Sequence, residues 1–97
     1  MILLITFYYA SHVAEKLAEI VPKLGKMPDY VKRWQVFHAT SGSTGFKQLN
    51  IVYIEKGHGD DAMVEVPRML KPIWGRDDVE PQIEVLVGVK DTMKIFS

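Results

Sequence analysis

The chain of 97 residues contains no cysteine. Without cysteine there is no disulfide framework, no thiolate zinc site and no cysteine nucleophile. Neither sign of charge is in excess, because 12 Lys and Arg side chains balance 12 Asp and Glu side chains. Proteins that coat nucleic acid or adhere to membrane surfaces normally carry a basic excess. The composition therefore argues against a nucleic-acid partner and against a membrane partner.

No apolar run reaches the length of a membrane span. Residues 1–10 are almost wholly apolar, but a transmembrane helix needs about 20 such residues. No Lys or Arg precedes this run and no small-residue cleavage pattern follows it, which argues against a secretory signal. We therefore interpret it as a buried strand and expect a cytoplasmic protein.

The length predicts a single domain over residues 1–97. Hydrophobic residues make up 47% and charged residues 25% of the chain, an ordinary globular mixture. A domain of this size buries only about 60–65% of its unfolded surface, so self-association would add useful burial. Residues 1–50 hold 6 basic and 3 acidic side chains, and residues 51–97 hold 6 basic and 9 acidic ones. This split favours antiparallel or head-to-tail self-contact, although scattered surface charge explains it equally well.

Local patterns predict four strands and two helices. Residues 2–9 form an apolar, β-branched run typical of a central strand, and Ser11 is placed to cap the helix that follows. Pro22 should kink or end that helix. Residues 31–40 and 46–55 read as a hairpin around a glycine-containing loop at 41–45. The helix-facing side of the second hairpin strand is expected to carry Leu49, Ile51 and Tyr53.

The second half of the chain predicts one further helix and one further strand. Asp60 or Asp61 should cap a helix that Pro67 and Pro72 kink or break. Residues 82–89 alternate apolar and polar side chains, which predicts the last strand. The apolar tail at 91–97 should dock on its own subunit or on a neighbour.

The resulting order is β-α-β-β-α-β, with right-handed crossovers that place both helices on one face of a four-stranded antiparallel sheet. This α+β pattern resembles the ferredoxin-like sandwich, with the first and third strands in the centre. Helices cover only one face of such a sheet. Either set of alternate residues of the first strand then leaves large apolar groups on the uncovered face, and such a patch normally marks an interface or a ligand site.

In this respect the chain resembles the dimeric α+β barrel group, in which two ferredoxin-like subunits pack sheet against sheet. The resemblance implies a homodimer or larger oligomer with a mixed apolar and polar interior between the sheets. Such an interior suits a small molecule, although the polar groups also serve a plain interface through hydrogen bonds. The candidate cavity-lining residues are Tyr8, Arg33, His38, Gln48, Asn50 and Glu84.

Three short motifs point elsewhere but are incomplete. Residues 40–45 with Lys47 resemble the phosphate-binding loop of adenylate-forming enzymes, without that family's Pro. Gly45, Phe46 and Leu49 match the strand signature of the RNA-recognition motif, whose further stacking aromatics are missing here. His58 with its neighbouring aspartates lacks the three or four converging ligands of a metal site. We expect no cofactor and no metal.

Two classes of function remain. The first is a non-catalytic, homo-oligomeric module that binds a small molecule between paired sheets. The alternative is a cofactor-independent enzyme of the monooxygenase or isomerase type, with His38, Tyr8, Arg33 or Glu84 as candidate polar groups. Of these, His38 offers a general base near neutral pH. The catalytic residues and the identity of the ligand are not readable from the sequence.

Overall fold

The computed structural model describes residues 1–42 and 45–95. It contains four strands, which are β1 (Ile2–Ala10), β2 (Val31–Ser41), β3 (Gly45–Ile54) and β4 (Val79–Leu86). The α-helices are α1 (Ala14–Ile20), α2 (Gly59–Met69), α3 (Lys71–Trp74) and α4 (Val89–Ile95). Short 3₁₀ turns at Ser11–Val13 and Val21–Lys23 flank α1. The predicted loop residues 43 and 44 lie outside the described residues.

The strands form one antiparallel sheet in the order β2-β3-β1-β4. The predicted central position of the first and third strands is therefore confirmed. A four-stranded antiparallel sheet with helices is an α+β arrangement and fits a ferredoxin-like fold.

The core lies on the sheet face that carries alternate residues of β1. Leu3, Ile5 and Phe7 are fully buried there, and they cluster with residues of α1, α2 and α3. Phe7 meets Trp74 edge to face, with ring centroids 6.0 Å apart. Full burial of one such apolar side chain contributes about 1.5–3 kcal/mol, so this face supplies most of the stability of the subunit.

The predicted orientation of β3 is wrong. Its helix-facing residues are Asn50, Val52 and Ile54, all of which are buried. The register pairs Ile5 of β1 with Asn50, and directly paired residues of antiparallel strands share a face. Val52 and Ile54 lie under the helices, whereas the polar half of β3 faces a cavity. The strand therefore does not show a continuous apolar stripe on its core side.

Proline positions explain where the helices end. The α-helical segment α1 ends at Ile20, and Pro22 lies in the 3₁₀ turn that follows, as predicted. The second predicted helix continues through Pro67 and breaks at Leu70, with Pro72 in the first turn of α3. A proline in the first turn costs no hydrogen bond, because that N–H has no partner within the helix.

The predicted caps are wrong. Ser11 is the first residue of a 3₁₀ turn and makes no capping hydrogen bond from its side chain. His58 occupies the N-cap position of α2, again without a side-chain cap. Asp60 and Asp61 instead lie in the first turn of α2, where their negative charges interact favourably with the helix dipole.

The last strand begins and ends three residues earlier than predicted. As an edge strand, β4 accommodates Pro81, which has no N–H to donate to a neighbouring strand. The chain then enters α4, where Val89, Met93 and Ile95 are 82%, 66% and 69% exposed. Val89 begins this helix instead of ending the last strand. Docking of Met93 and Ile95 on their own subunit is wrong, docking on a neighbour stays a prediction, and Phe96 lies outside the described residues. Among the helices of residues 1–42 and 45–95, none is long and apolar enough to cross a membrane.

Candidate functional site

A cavity of about 810 Å³ lies between the sheet and the first helical segment. Its floor is the helix-facing side of β2 and β3, and its roof is α1 with the 3₁₀ turn at Val21–Lys23. The junction between α2 and α3 closes one end. The apolar lining includes Leu17, Val21, Leu24, Phe46, Leu70 and Ile73. We refer to this space as the helix-side cavity.

A hydrogen-bonded amide lies in the floor of this cavity. The Asn50 side chain is only 4% exposed. Its Oδ1 accepts a hydrogen bond from Trp34 Nε1 at 3.0 Å, and its Nδ2 donates to the Ile5 carbonyl and to Gln48 Oε1, both at 3.3 Å. Within the described part of the chain, no buried side-chain nitrogen or oxygen lacks a partner. Asn50 therefore fixes Trp34 and Gln48 in place.

Three further polar groups line the same cavity. Gln48 uses its carbonyl oxygen to bind Asn50, which leaves its NH₂ group as a donor. His38 is paired with Gln48 across β2 and β3, so the two side chains are neighbours on one face. Among residues 1–42 and 45–95, neither ring nitrogen of His38 has a hydrogen-bond partner. The third group is Tyr9, whose phenol has a pKa raised by burial.

The structure divides the six predicted cavity-lining residues between the two faces of the sheet. His38, Gln48 and Asn50 line the helix-side cavity. Tyr8, Arg33 and Glu84 lie on the opposite face, as their cross-strand pairing requires. The predicted grouping on one face is therefore wrong, because β3 presents its polar half to the helices.

The opposite face, which we call the open face, is a regular grid of side chains. The register aligns Arg33, Tyr53, Ile2 and Leu86 in one row and Gln35, Ile51, Leu4 and Glu84 in the next. Two further rows contain Phe37, Leu49, Thr6 and Gln82, then Ala39, Lys47, Tyr8 and Glu80. The Arg33 guanidinium lies 5.8 Å from the Tyr53 ring centroid, and Tyr8 donates to Gln82 Oε1 at 3.1 Å. These contacts agree with the alignment.

Two ionisable clusters lie away from the helix-side cavity. Tyr30 donates a hydrogen bond to Glu65 and stacks on His58, and burial together with the Glu65 carboxylate raises the pKa of Tyr30 to about 12. Arg76 donates two hydrogen bonds to Asp78, at 2.8 and 2.7 Å, which lowers the pKa of Asp78. Over the part of the chain that the structure covers, no group of three or more potential ligands is arranged to hold a metal ion.

The roof of the cavity was not predicted from the sequence. Leu17 and Leu24 have the helical spacing that is typical of a core stripe, and this spacing does not identify them as walls of a site. One feature of the sequence indicates the hydrogen bond in the floor of the cavity. An indole N–H needs an acceptor when it is buried, and Asn50 is within reach once β2 and β3 are paired.

Comparisons with known proteins assign no family to this chain. No family model and no curated protein matches it. A solved DUF3240 family protein from Shewanella baltica is 8% identical, with a TM-score of 0.48 over 90% of this chain and 91% of that one. A PII-like signaling protein from Thermus thermophilus is 17% identical, with a TM-score of 0.46 over 95% and 92% of the two chains. Similarity at this level identifies no activity.

Proposed function

We propose that this protein is a small homo-oligomeric α+β module that binds an apolar small molecule in the helix-side cavity. The observation that carries the proposal is a space of about 810 Å³ with mostly apolar walls and a pre-formed polar floor. Ligand sites for small molecules have volumes of roughly 300–1,000 Å³ and combine apolar walls with a few placed polar groups. The site differs from the one expected from the sequence, which lay between paired sheets.

The polar groups of the cavity define the chemistry of the ligand. Among residues 1–42 and 45–95, those that line the cavity include no Lys, Arg, Asp or Glu, so a charged ligand would lose its hydration without gaining a counter-ion. The Gln48 NH₂ group donates hydrogen bonds, and the His38 imidazole both donates and accepts. The ligand we propose is therefore an uncharged alkyl or aromatic molecule with a hydroxyl or carbonyl group at one end.

Binding is better supported than catalysis. The alternative is a cofactor-independent enzyme of the monooxygenase or isomerase type, with His38 as general base. A general base is normally oriented by a second polar group, and the structure gives His38 no such hydrogen bond among the residues it describes. Tyr8, Arg33 and Glu84, the other groups considered for such chemistry, lie on the opposite side of the sheet.

We also propose that the open face pairs with a second copy, which would complete a dimeric α+β barrel from two βαββαβ units. The apolar side chains at the centre of the grid support this pairing, and Phe37 and Leu86 at its edges are 50% and 38% exposed. Contiguous apolar surface of this kind is uncommon on a monomer. Sedimentation at micromolar concentration tests this proposal, and a stable species of 11.1 kDa would contradict it. We further propose a cytoplasmic location, which suits a chain without cysteine.

The ligand proposal is tested with N-phenyl-1-naphthylamine, a neutral apolar probe whose fluorescence rises in apolar surroundings. We expect saturable binding by the folded protein. Ala18→Trp should weaken binding by about tenfold or more, because the indole fills the space beside Leu17. Glu19→Trp adds the same side chain at an exposed position of α1 outside the cavity and should bind as the natural protein does.

Displacement of the probe tests the polar end of the ligand. We expect 1-decanol to displace the probe at lower concentration than decanoate or decylamine, because neither a carboxylate nor an ammonium group finds a counter-ion in the cavity. Gln48→Leu should reduce the advantage of 1-decanol and leave the affinity for the probe nearly unchanged. Equal displacement by all three compounds, or equal probe binding by the Ala18→Trp and Glu19→Trp variants, contradicts the proposed site.

A further inference from the structure

The charges of the open face are divided between its two sides. Arg33 on β2 and Lys47 on β3 are its basic residues, and Glu80 and Glu84 on the opposite edge strand β4 are its acidic ones. In the part of the chain that the structure describes, none of these four side chains forms an ion pair. The face is thus neutral as a whole, with one basic side, one acidic side and apolar residues between them.

From this division of charge, and on the basis of the sheet pairing proposed above, we infer how the two copies of the chain are oriented in the dimer. A two-fold interface uses the same patch on both copies. When two sheets pack face to face, the two-fold axis lies in the plane between them and runs either perpendicular or parallel to the strands. An axis perpendicular to the strands places β2 over the second copy's β2, so like charges face each other. An axis parallel to the strands places β2 over the second copy's β4, so that each basic side faces an acidic side.

The geometry therefore points to a homodimer whose two-fold axis runs parallel to the strands. Each row of the grid then lies over the same row of the second copy, with the two sheets about 10 Å apart. Arg33 lies over Leu86 of the second copy, one row from Glu84, and Lys47 lies beside Glu80 of the second copy. Long Arg and Lys side chains span these offsets and leave the apolar centre for Ile2, Leu4, Leu49 and Ile51.

The size of the patch suits such a dimer. The open face consists of four rows of residues on four strands. The strands are about 4.8 Å apart and the rows about 6.8 Å apart. This surface is similar in extent to the smaller stable interfaces, which use about 20 residues from each partner. Like charges placed opposite each other cost several kcal/mol in poorly solvated interfaces. The charge arrangement thus decides between two orientations that bury similar apolar surface.

Charge reversal tests this orientation. We expect Arg33→Glu and Glu84→Arg each to raise the dimer dissociation constant by about tenfold or more, since each creates a like-charge contact twice per dimer. The chain that carries both changes should regain dimerisation. Lys71→Glu and Glu19→Arg reverse charges on the exposed helical side and should leave the dissociation constant within about threefold of its original value.

Mixing the two single variants separates contacts between copies from effects within one chain. In a heterodimer, the glutamate introduced by Arg33→Glu in one copy meets the arginine introduced by Glu84→Arg in the other, and the natural pair forms at the second contact. Native mass spectrometry of an equimolar mixture should show the heterodimer as the main dimeric species. Arg33 and Glu84 lie at opposite edges of the same sheet, so repair within one chain cannot produce this result.

Each outcome separates this inference from the proposal on which it rests. A monomeric natural protein contradicts the pairing itself. A dimer in which neither the double variant nor the mixture restores association contradicts the orientation while the pairing stands. Circular dichroism of each variant at low concentration confirms that the subunit remains folded.

Discussion

The two faces of one sheet are stabilised in different ways. On the helix side, Leu3, Ile5, Phe7 and Val52 are fully buried by helices of the same chain, and the one buried amide there, Asn50, is held by three hydrogen bonds. On the open side, Phe37 and Leu86 are 50% and 38% exposed, and Leu4 is half-buried. Similar strand residues therefore stabilise the subunit on one face of the sheet and remain partly exposed on the other.

The largest expected effect comes from truncating the helix side. Phe7→Ala should lower the free energy of unfolding by about 3–5 kcal/mol, because it leaves a cavity beside Trp74. Leu4→Ala removes a half-buried side chain from the open face and should cost less than about 2 kcal/mol. Urea denaturation at two protein concentrations measures both. Only the Leu4→Ala loss should change with concentration, and equal losses independent of concentration would remove the distinction between the faces.

A smaller effect is expected at the polar floor of the helix-side cavity. Asn50→Leu should cost about 1–3 kcal/mol, because it leaves the Trp34 indole N–H without its acceptor. Trp34→Phe removes that donor, so the double variant should lose less than the sum of the two single losses. A double-mutant cycle by chemical denaturation measures this coupling. Strict additivity would show that the hydrogen bond does not contribute to the stability of this face.

The stability of the protein at high pH should depend on a contact between Tyr30, just before β2, and Glu65 of α2. The pKa of Tyr30 is raised to about 12 in the folded protein, mainly by burial and then by its hydrogen bond to Glu65. Since the unfolded phenol ionises near 10, its contribution is complete below pH 10 and is lost as the pH rises towards 12.

Tyr30→Phe should remove this loss between pH 10 and 12 and cost about 0.5–1.5 kcal/mol at neutral pH. Unfolding curves of both proteins from pH 8 to 12 provide the measurement. Tyr8→Phe, measured in parallel, is the control on the open face. If both variants keep the alkaline loss of stability, Tyr30 is not its source.

The smallest effect is expected for hydrogen bonds on the open face. Tyr8→Phe removes an exposed hydrogen bond to Gln82 and should change the free energy of unfolding by less than about 0.5 kcal/mol. Thermal denaturation at low protein concentration measures this change in the subunit alone. A loss of more than about 1 kcal/mol would indicate that the open face stabilises the subunit much as the helix side does.

The four strands and the helical segments between them were predictable because they depend on local chemistry, whereas α4 was not predicted. Runs of β-branched residues, helical spacing of apolar residues and the prolines at 22 and 72 act over a few residues. The central position of the first and third strands followed from the order and the handedness of crossovers. The predicted caps are wrong although Ser11 and Asp60 have side chains that commonly cap helices, because the backbone places another residue at the start of each helix.

The composition of the candidate site was harder to predict, since it depends on which face each strand turns to the helices. In β3, both sets of alternate residues contain apolar side chains, and one of the two sets carries the side-chain amides of Gln48 and Asn50. The structure turns this set inwards because Val52 and Ile54 lie under the helices. Asn50 follows them and is satisfied by Trp34 and by the Ile5 carbonyl.

By itself, the sequence determined the four strands and the helical segments between them, a kink or break of the second helix at its prolines, and the presence of an uncovered apolar face, but not α4. These features depend on residue spacing, backbone restrictions and the number of helices available to cover a sheet. Tertiary structure alone decided that His38, Gln48 and Asn50 lie in a cavity while Tyr8, Arg33 and Glu84 lie on the other face. The physical reason is that a strand's orientation is decided by the sum of its contacts with neighbouring strands and helices, and a shift of one residue exchanges its two faces.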